Sequence, residues 1–356
     1  IRRNVIRDKN NAAIVVWSLG NESGYGRNFS DAGHWAKTYD PSRLVHYQGA
    51  WHADPSREND FTPLDVFSRM YAPTEWVDGY FSTGRWEKPF MQCEFTHAMG
   101  NGPGDIEENI SQILTYPGYV GGFVWEWCDH SVYGGRTQDG RAVYRYGGDW
   151  KEGLNDGNFC MDGLVFPDRK PHTGLLEYKN CIRPVRASLI AAGQDGCTLR
   201  FANNYVFLDA RSVMDITYEI RQDGAPVGSG SIDIPHIAPN AFQEAFVPCS
   251  LPKEGIVTMV ITYTLNRPKP WAEKGYVLGF DEITIASERT ERALFFIGSL
   301  APPDIRENSR YAAISSTDFS YTLDKRTGLF RSLSYRNVPF LVHAMDWNTW
   351  RAPIDN

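Results

Sequence analysis

At 356 residues, 42% of them hydrophobic and 22% charged, the chain is long enough for two or three domains that each bury a core. No apolar run approaches the roughly 18 residues of a membrane-spanning helix, and the net charge of -7 comes with no block of Lys or Arg, so composition argues against both membrane and nucleic-acid partners. The six cysteines (Cys93, Cys128, Cys160, Cys181, Cys197 and Cys249) form neither a CxxC pair nor a zinc spacing and read as mostly buried free thiols. The chain starts at Ile1 and stops in mixed sequence at RAPIDN, ends that suggest a fragment of a soluble protein, with a cytoplasmic or periplasmic location left open.

In chain order, the strand candidates of the first part are AAIVVWSLG (12–20), RLVHYQG (43–49), DVFSRMYA (65–72), PFMQCEF (89–95) and GGFVWEW (121–127). Their hydrophobicity is continuous rather than alternating, as in strands buried on both faces. Between them NFSDAGHWAKTYD and GDIEENISQILTYPG fit helical spacing, and that βαβ rhythm predicts a parallel sheet with helices outside it. From about residue 184 the pattern changes to alternating segments: TLRFANNYVF, MDITYEIRQDGAPVGSGSIDI, FQEAFVPC, IVTMVITYTL and YVLGFDEITI. The Asp-Gly in RQDGAPVG suits a type I′ hairpin, and strands at this spacing predict an immunoglobulin-like β-sandwich. A Pro- and charge-rich linker containing APPDIRENS follows. YAAISSTDFSYTLDKRTGLFRSLSYRN and PFLVHAMDWNTW then supply strands too few to close a domain.

Chemistry is expected in the first part. Eight of the eleven tryptophans (Trp17, Trp35, Trp51, Trp76, Trp86, Trp125, Trp127 and Trp150) fall there, either as core or as flat faces on which sugar rings rest. In WSLGNESGYG, Glu22 stands where a strand breaks into Gly, Asn and Ser. One reading makes Asn21, Glu22 and Ser23 a helix cap; the other puts a catalytic acid at the end of a parallel strand. Glu94, in FMQCEFTHAMGNG, is a second acid at a strand end. Two carboxylates facing each other across a barrel mouth are the apparatus of glycoside hydrolysis, one protonating the leaving oxygen while the other attacks the anomeric carbon. The motifs of rival chemistries, HExxH, GxSxG, GxxxxGK[ST] and dinucleotide GxGxxG, are missing from the sequence.

WSLGNESGYG, MQCEFTHAMGNGPG, YPGYVGGFVWEWCD, YGGDW and NFCMDGLVFPDRKPHTGLLEYK follow one another in the order and spacing of bacterial β-galactosidases of glycoside hydrolase family 2, and the resemblance spans essentially the whole chain. It implies a multidomain α/β plus all-β architecture: strands four to eight of a (β/α)8 TIM barrel over 1–183, an immunoglobulin-like β-sandwich over 184–290, a linker over 291–310 and the start of a truncated β-sandwich over 311–356. By the same resemblance Glu22 matches the general acid/base and Glu94 the nucleophile. Asn21 resembles the residue bonded to the sugar 2-hydroxyl, Tyr71 with Met70 before it the tyrosine beside the nucleophile, His97 a sugar-hydroxyl ligand, Trp125 the platform of the pocket and Asn155 a loop residue near a metal site. The family implies a magnesium ion touching Glu22, its other ligands falling before Ile1. It also implies a sodium ion held by a backbone oxygen matched by Phe159 and by an Asn side chain matched by Asp162. Aspartate in that place departs from the family and adds a charge. A galactoside substrate and a homo-oligomeric full-length enzyme are further implications.

Each residue also has a plainer reading: His97 as a structural histidine, Asp162 as a turn residue in MDGL, and Glu126 as a helix-face or supporting acid. Retaining hydrolysis would require Glu22 to hold a proton, its pKa raised by desolvation and by Glu94, while Glu94 stays ionised. A carbohydrate-binding or inactive relative, and a structural fragment that needs a complementary chain, are the alternatives.

Overall fold

A computed structural model describes residues 1–84, 86–288 and 302–348. They fall into two compact units, one of residues 1–288 and one containing 302–348. The first unit opens with helix α1 (Arg2–Asp8) and continues as β1 (Val16–Ser18), α2 (Arg27–Tyr39), β2 (Leu44–His46), β3 (Phe67–Met70), α3 (Thr74–Ser82), β4 (Phe90–Phe95), α4 (Ile106–Thr115) and β5 (Tyr119–Val124). A short 3-10 turn, Gln48–His52, follows β2. The strands pair in parallel and in sequence order, β1 with β2, β3 with β4 and β4 with β5, and a parallel bridge from His46 to Val66 joins the β2 end to the β3 end.

The continuous apolar runs explain this. Val45, Tyr47, Phe90 and Phe95 are buried, and the helices cover one sheet face through Ala36 of α2 and through Val77 and Phe81 of α3. Helix α2 comes so close to the loop before β3 that a Cβ on Gly33 would lie 2.9 Å from the Pro63 side chain. This is a partial TIM barrel, five parallel strands where a closed barrel has eight. Its two ends expose large apolar side chains, Val15 before β1 and Val120 and Phe123 on β5.

Past β5 the chain runs on beside 162–165, with Glu126 N donating to Asp162 O and Val165 N to Trp127 O. An exposed hairpin of β6 (Val132–Arg136) and β7 (Ala142–Arg145), not foreseen in the sequence, lies between them, and α5 (Thr173–Cys181) closes the region.

The next seven strands form a β-sandwich. They are β8 (Val185–Gly193), β9 (Gly196–Asn203), β10 (Met214–Gln222), β11 (Ala225–Ile232), β12 (Phe242–Pro248), β13 (Gly255–Leu265) and β14 (Val277–Glu288). One sheet runs β12-β9-β8 and the other β11-β10-β13-β14, all neighbours antiparallel. The period of two is clean on β13, where Val257, Met259, Ile261, Tyr263 and Leu265 are buried, the first four in one core with Leu199 and Phe201 of β9. The expected type I′ turn joins β10 to β11: Asp223 and Gly224 are both left-handed, at φ 50° and 84°. Arg183 and Arg186 bind the sandwich to the barrel part, Arg183 Nη2 reaching Asp281 on β14 at 2.6 Å and Arg186 pairing with Glu107 of α4.

The second unit is an antiparallel meander of β15 (Asp304–Glu307), β16 (Tyr311–Ser315), β17 (Phe319–Asp324), β18 (Leu329–Tyr335) and β19 (Val338–Pro339). Of the expected linker, 291–301 lies outside the described residues and Asp304–Glu307 is a strand. Of PFLVHAMDWNTW, Pro339 alone among the described residues is in a strand, and Trp350 lies outside them. The six cysteines are free.

Candidate active site

The C-terminal ends of the parallel strands converge on a cleft of about 310 Å³ lined by Asn21, Glu22, Tyr71, Glu94, His97, Trp125 and Phe159. Asn21 and Glu22 follow β1, Tyr71 follows β3, Glu94 and His97 belong to the end of β4 and the loop after it, and Trp125 follows β5, with Phe159 farther along the chain; the ends of barrel strands are where such residues gather. Glu22 lies in a turn past β1 at φ 43°. The turn is held by Ser23, whose Oγ donates to Asn21 O (2.7 Å) and whose amide donates to the Tyr47 hydroxyl (3.0 Å) just past β2. Helix α2 starts at Arg27, with Gly26 at its cap and no capping side chain, so Asn21, Glu22 and Ser23 do not cap it.

Glu94 sits near the end of β4. The Tyr71 hydroxyl donates to its Oε2 at 2.8 Å, and the Tyr71 amide donates to its carbonyl at 2.9 Å. Burial raises the Glu94 pKa and the negative charge of Glu22 adds to the rise, while the Tyr71 hydrogen bond opposes it. The phenol itself is pushed above its ordinary range by burial and by Glu94, so it stays a donor. Among the described residues Glu22 is exposed, whereas Glu94 is half-buried.

Trp125 faces the cleft and its indole Nε1 donates to Asp162 Oδ2 at 3.1 Å. Asp162 is buried, its Oδ1 has no hydrogen-bond partner, and His97 Nε2 is 3.8 Å from its Oδ2. It lies against Trp125 rather than in an exposed turn. Phe159 stacks on the His97 ring with centroids 5.8 Å apart. Glu126 is not among the residues lining the cleft; burial and the adjoining Asp162 carboxylate push its pKa up to about 7, with His130 opposing.

Two of the expected residues stand apart. Met70 lines a neighbouring cavity of about 420 Å³ along the concave face of the strands, shared with His46, Met91, Phe123 and Glu94. Asn155 is exposed and bonds within its own loop, Oδ1 accepting the Gly157 amide at 3.0 Å.

For a metal, no group of three or more His, Cys, Asp or Glu side chains comes together among the described residues. No such group forms around Glu22, so these residues by themselves do not assemble the magnesium shell. The orphaned buried oxygen of Asp162 does fit a cation.

A partial TIM barrel with two carboxylates, a tyrosine bonded to one of them and an indole facing one cleft defines the class, a barrel with a carbohydrate-type site, followed by a β-sandwich. The chain belongs to the glycosyl hydrolases family 2: the family model of its TIM barrel domain matches residues 1–187, and that of β-galactosidase domain 4 matches 199–286. Among curated relatives, a β-galactosidase of Actinobacillus pleuropneumoniae is 39% identical over 99% of this chain and 34% of its own length. Another, of Staphylococcus xylosus, is 32% identical over 100% of this chain and 35% of its own. The chain thus spans about a third of the length of these relatives. The chain is also similar to a solved FMN-binding β-glucuronidase from Facaelibacterium prausnitzii, at 16% identity over 82% of this chain and 44% of that one, with a TM-score of 0.37.

Proposed function

We propose that this chain is the later part of the catalytic barrel, with the following sandwich, of an enzyme that hydrolyses terminal β-D-galactosides with retention of configuration. The observation that carries the reading is the gathering of Glu22 and Glu94 in one cleft, with Tyr71 bonded to Glu94. Glu94 Oε attacks the anomeric carbon as the glycosidic C–O bond breaks and the leaving oxygen takes the proton of Glu22. A water then displaces Glu94 from the sugar and gives its proton to Glu22. Retention requires the carboxyls about 5 Å apart.

Asn21 would bond the 2-hydroxyl, His97 another sugar hydroxyl, and Trp125 would offer its face to the ring. Asp162, with Phe159 nearby, would hold a cation at the edge of the site, a positive charge that offsets the buried carboxylate. Magnesium at Glu22 would need ligands from outside this chain.

Galactosides are favoured over other sugars by the relatives' names and the β-galactosidase domain match. A binding-only relative is disfavoured because both glutamates are kept.

The chain by itself should not turn over. Its five strands leave two edges unpaired, and a misplacement of about 1 Å between reacting groups costs on the order of a hundredfold. The test is the rate on a chromogenic galactoside of this chain alone, with the Glu94→Gln variant as background, and of a protein extended to the length of its relatives. No activity in the extended protein sinks the functional reading. Turnover by the short chain well above background shows that the arc alone suffices.

A further inference from the structure

Two residues before Glu94 on β4 is Gln92, whose side chain is wholly buried. A polar side chain in such a place must have its donors and acceptor met, and all of them are. Its Oε1 accepts the Ala72 amide at 2.6 Å, and its Nε2 donates to Asn109 Oδ1 at 3.0 Å and to the Tyr119 hydroxyl at 2.7 Å. One side chain therefore ties helix α4, strand β5 and the loop leaving β3. Leucine or methionine would fill a similar volume without those bonds, so packing alone does not call for glutamine.

What Gln92 adds lies at Ala72. The β3–β4 register runs from Arg69 opposite Gln92 directly to Met70 opposite Glu94, leaving Cys93 bulged out of the ladder. The Tyr71 amide finds the Glu94 carbonyl, and the next amide, that of Ala72, is taken by the Gln92 side chain. Two successive amides held in this way fix Tyr71 at φ 48°, a left-handed conformation that a residue with a bulky side chain avoids unless its surroundings impose it.

We propose that Gln92 is a positioning residue: by holding the Ala72 amide it sets the turn at Tyr71 and so aims the phenolic hydrogen at Glu94 Oε2. The geometric claim stands on these bonds, and its consequence for catalysis rests on the functional reading above.

The test labels the chain with 3-fluorotyrosine, assigns the Tyr71 fluorine resonance by Tyr71→Phe, and compares two variants. Gln92→Leu is expected to shift or split the Tyr71 resonance by more than its linewidth. Tyr119→Phe removes one bond of Gln92 but not the one to Ala72, and should leave that resonance in place. Gln92→Met, closer in volume and flexibility, replaces Gln92→Leu if circular dichroism shows that the latter does not fold. In the extended protein the same Gln92 variant should lose about a hundredfold in kcat, with KM within about twofold, by the rough cost of a misplaced group.

An unmoved Tyr71 resonance in the Gln92 variant overturns the proposal, and so does an equal shift in Tyr119→Phe. If the resonance moves as expected while turnover in the extended protein is indifferent both to the Gln92 variant and to Glu94→Gln, Gln92 positions Tyr71 and it is the nucleophile reading that has failed.

Discussion

Tyr71 is bonded to Glu94 twice, through its hydroxyl to Oε2 at 2.8 Å and through its amide to the carbonyl at 2.9 Å. The first bond favours the ionised carboxylate, the form that can attack a sugar, against burial and against the charge of Glu22. The second keeps the ring over the end of β4.

Removing the hydroxyl therefore has a sign. In Tyr71→Phe the Glu94 pKa rises further, so the ionised fraction at a given acidic pH falls and the acid limb of kcat/KM moves to higher pH. The loss of one donor should lower kcat by on the order of a hundredfold. A pH–rate profile of the extended protein checks this, and an unmoved acid limb would show that the bond does not tune Glu94.

The two glutamates should fail differently. Glu94→Gln is expected to abolish turnover. Glu22→Gly should be rescued by azide on an activated galactoside, because a small anion can release the sugar from Glu94 without base help. Rescue of a Glu94 variant with inverted product, and none for Glu22→Gly, would reverse the roles.

Asp162 has a buried oxygen without a partner, and among the described residues its ion-pair neighbour is the His97 ring at 3.8 Å. A full charge in place of the family's Asn should strengthen cation binding there and favour a divalent ion, since hard-cation sites respond to ligand charge. Anomalous scattering from rubidium- and manganese-soaked crystals of the extended protein reads this directly. Manganese is expected at Asp162 and lost in Asp162→Asn, and no ion under either condition would end the idea.

The link between barrel part and sandwich is open to a stability test. Asp281 is buried and accepts from Arg183 Nε (3.0 Å) and Nη2 (2.6 Å), from the Ala187 amide (2.8 Å) and from the Tyr263 hydroxyl. Arg183→Met strands that carboxylate and should cost about 3–5 kcal/mol in chemical denaturation, whereas Tyr263→Phe removes a single hydrogen bond and should cost about 1–3 kcal/mol. Equal, small losses would mean that water replaces the arginine.

Much of this molecule is legible in its sequence, for identifiable reasons. Continuous apolar runs mark the five strands of the barrel part, although β5 spans Tyr119–Val124 rather than 121–127 and leaves Val120 and Phe123 exposed. Alternation on β13 and the Asp-Gly at 223–224 announce the sandwich and its hairpin, because a period of two and a left-handed pair of turn residues are local properties. Strand β8 has no clear signature in the sequence because it is a sheet edge, with Leu189 and its neighbours only partly covered, so burial imposes little pattern. Asp304–Glu307 reads as linker since all four of its residues are exposed.

For the site, the sequence by itself determined that Glu22 and Glu94 stand at strand ends, and its resemblance to the family added Tyr71, His97 and Trp125; all five line one cleft because parallel strands bring their ends together. Only the tertiary structure decided how those residues are held. Met70 turns to the concave face and Asn155 stays in its own loop, while desolvation falls on Glu94 and Gln92 closes the bulge at Cys93. Such outcomes depend on which groups lie across the sheet from one another and how much water they exclude. Both are set by long-range packing and leave no local trace in the chain.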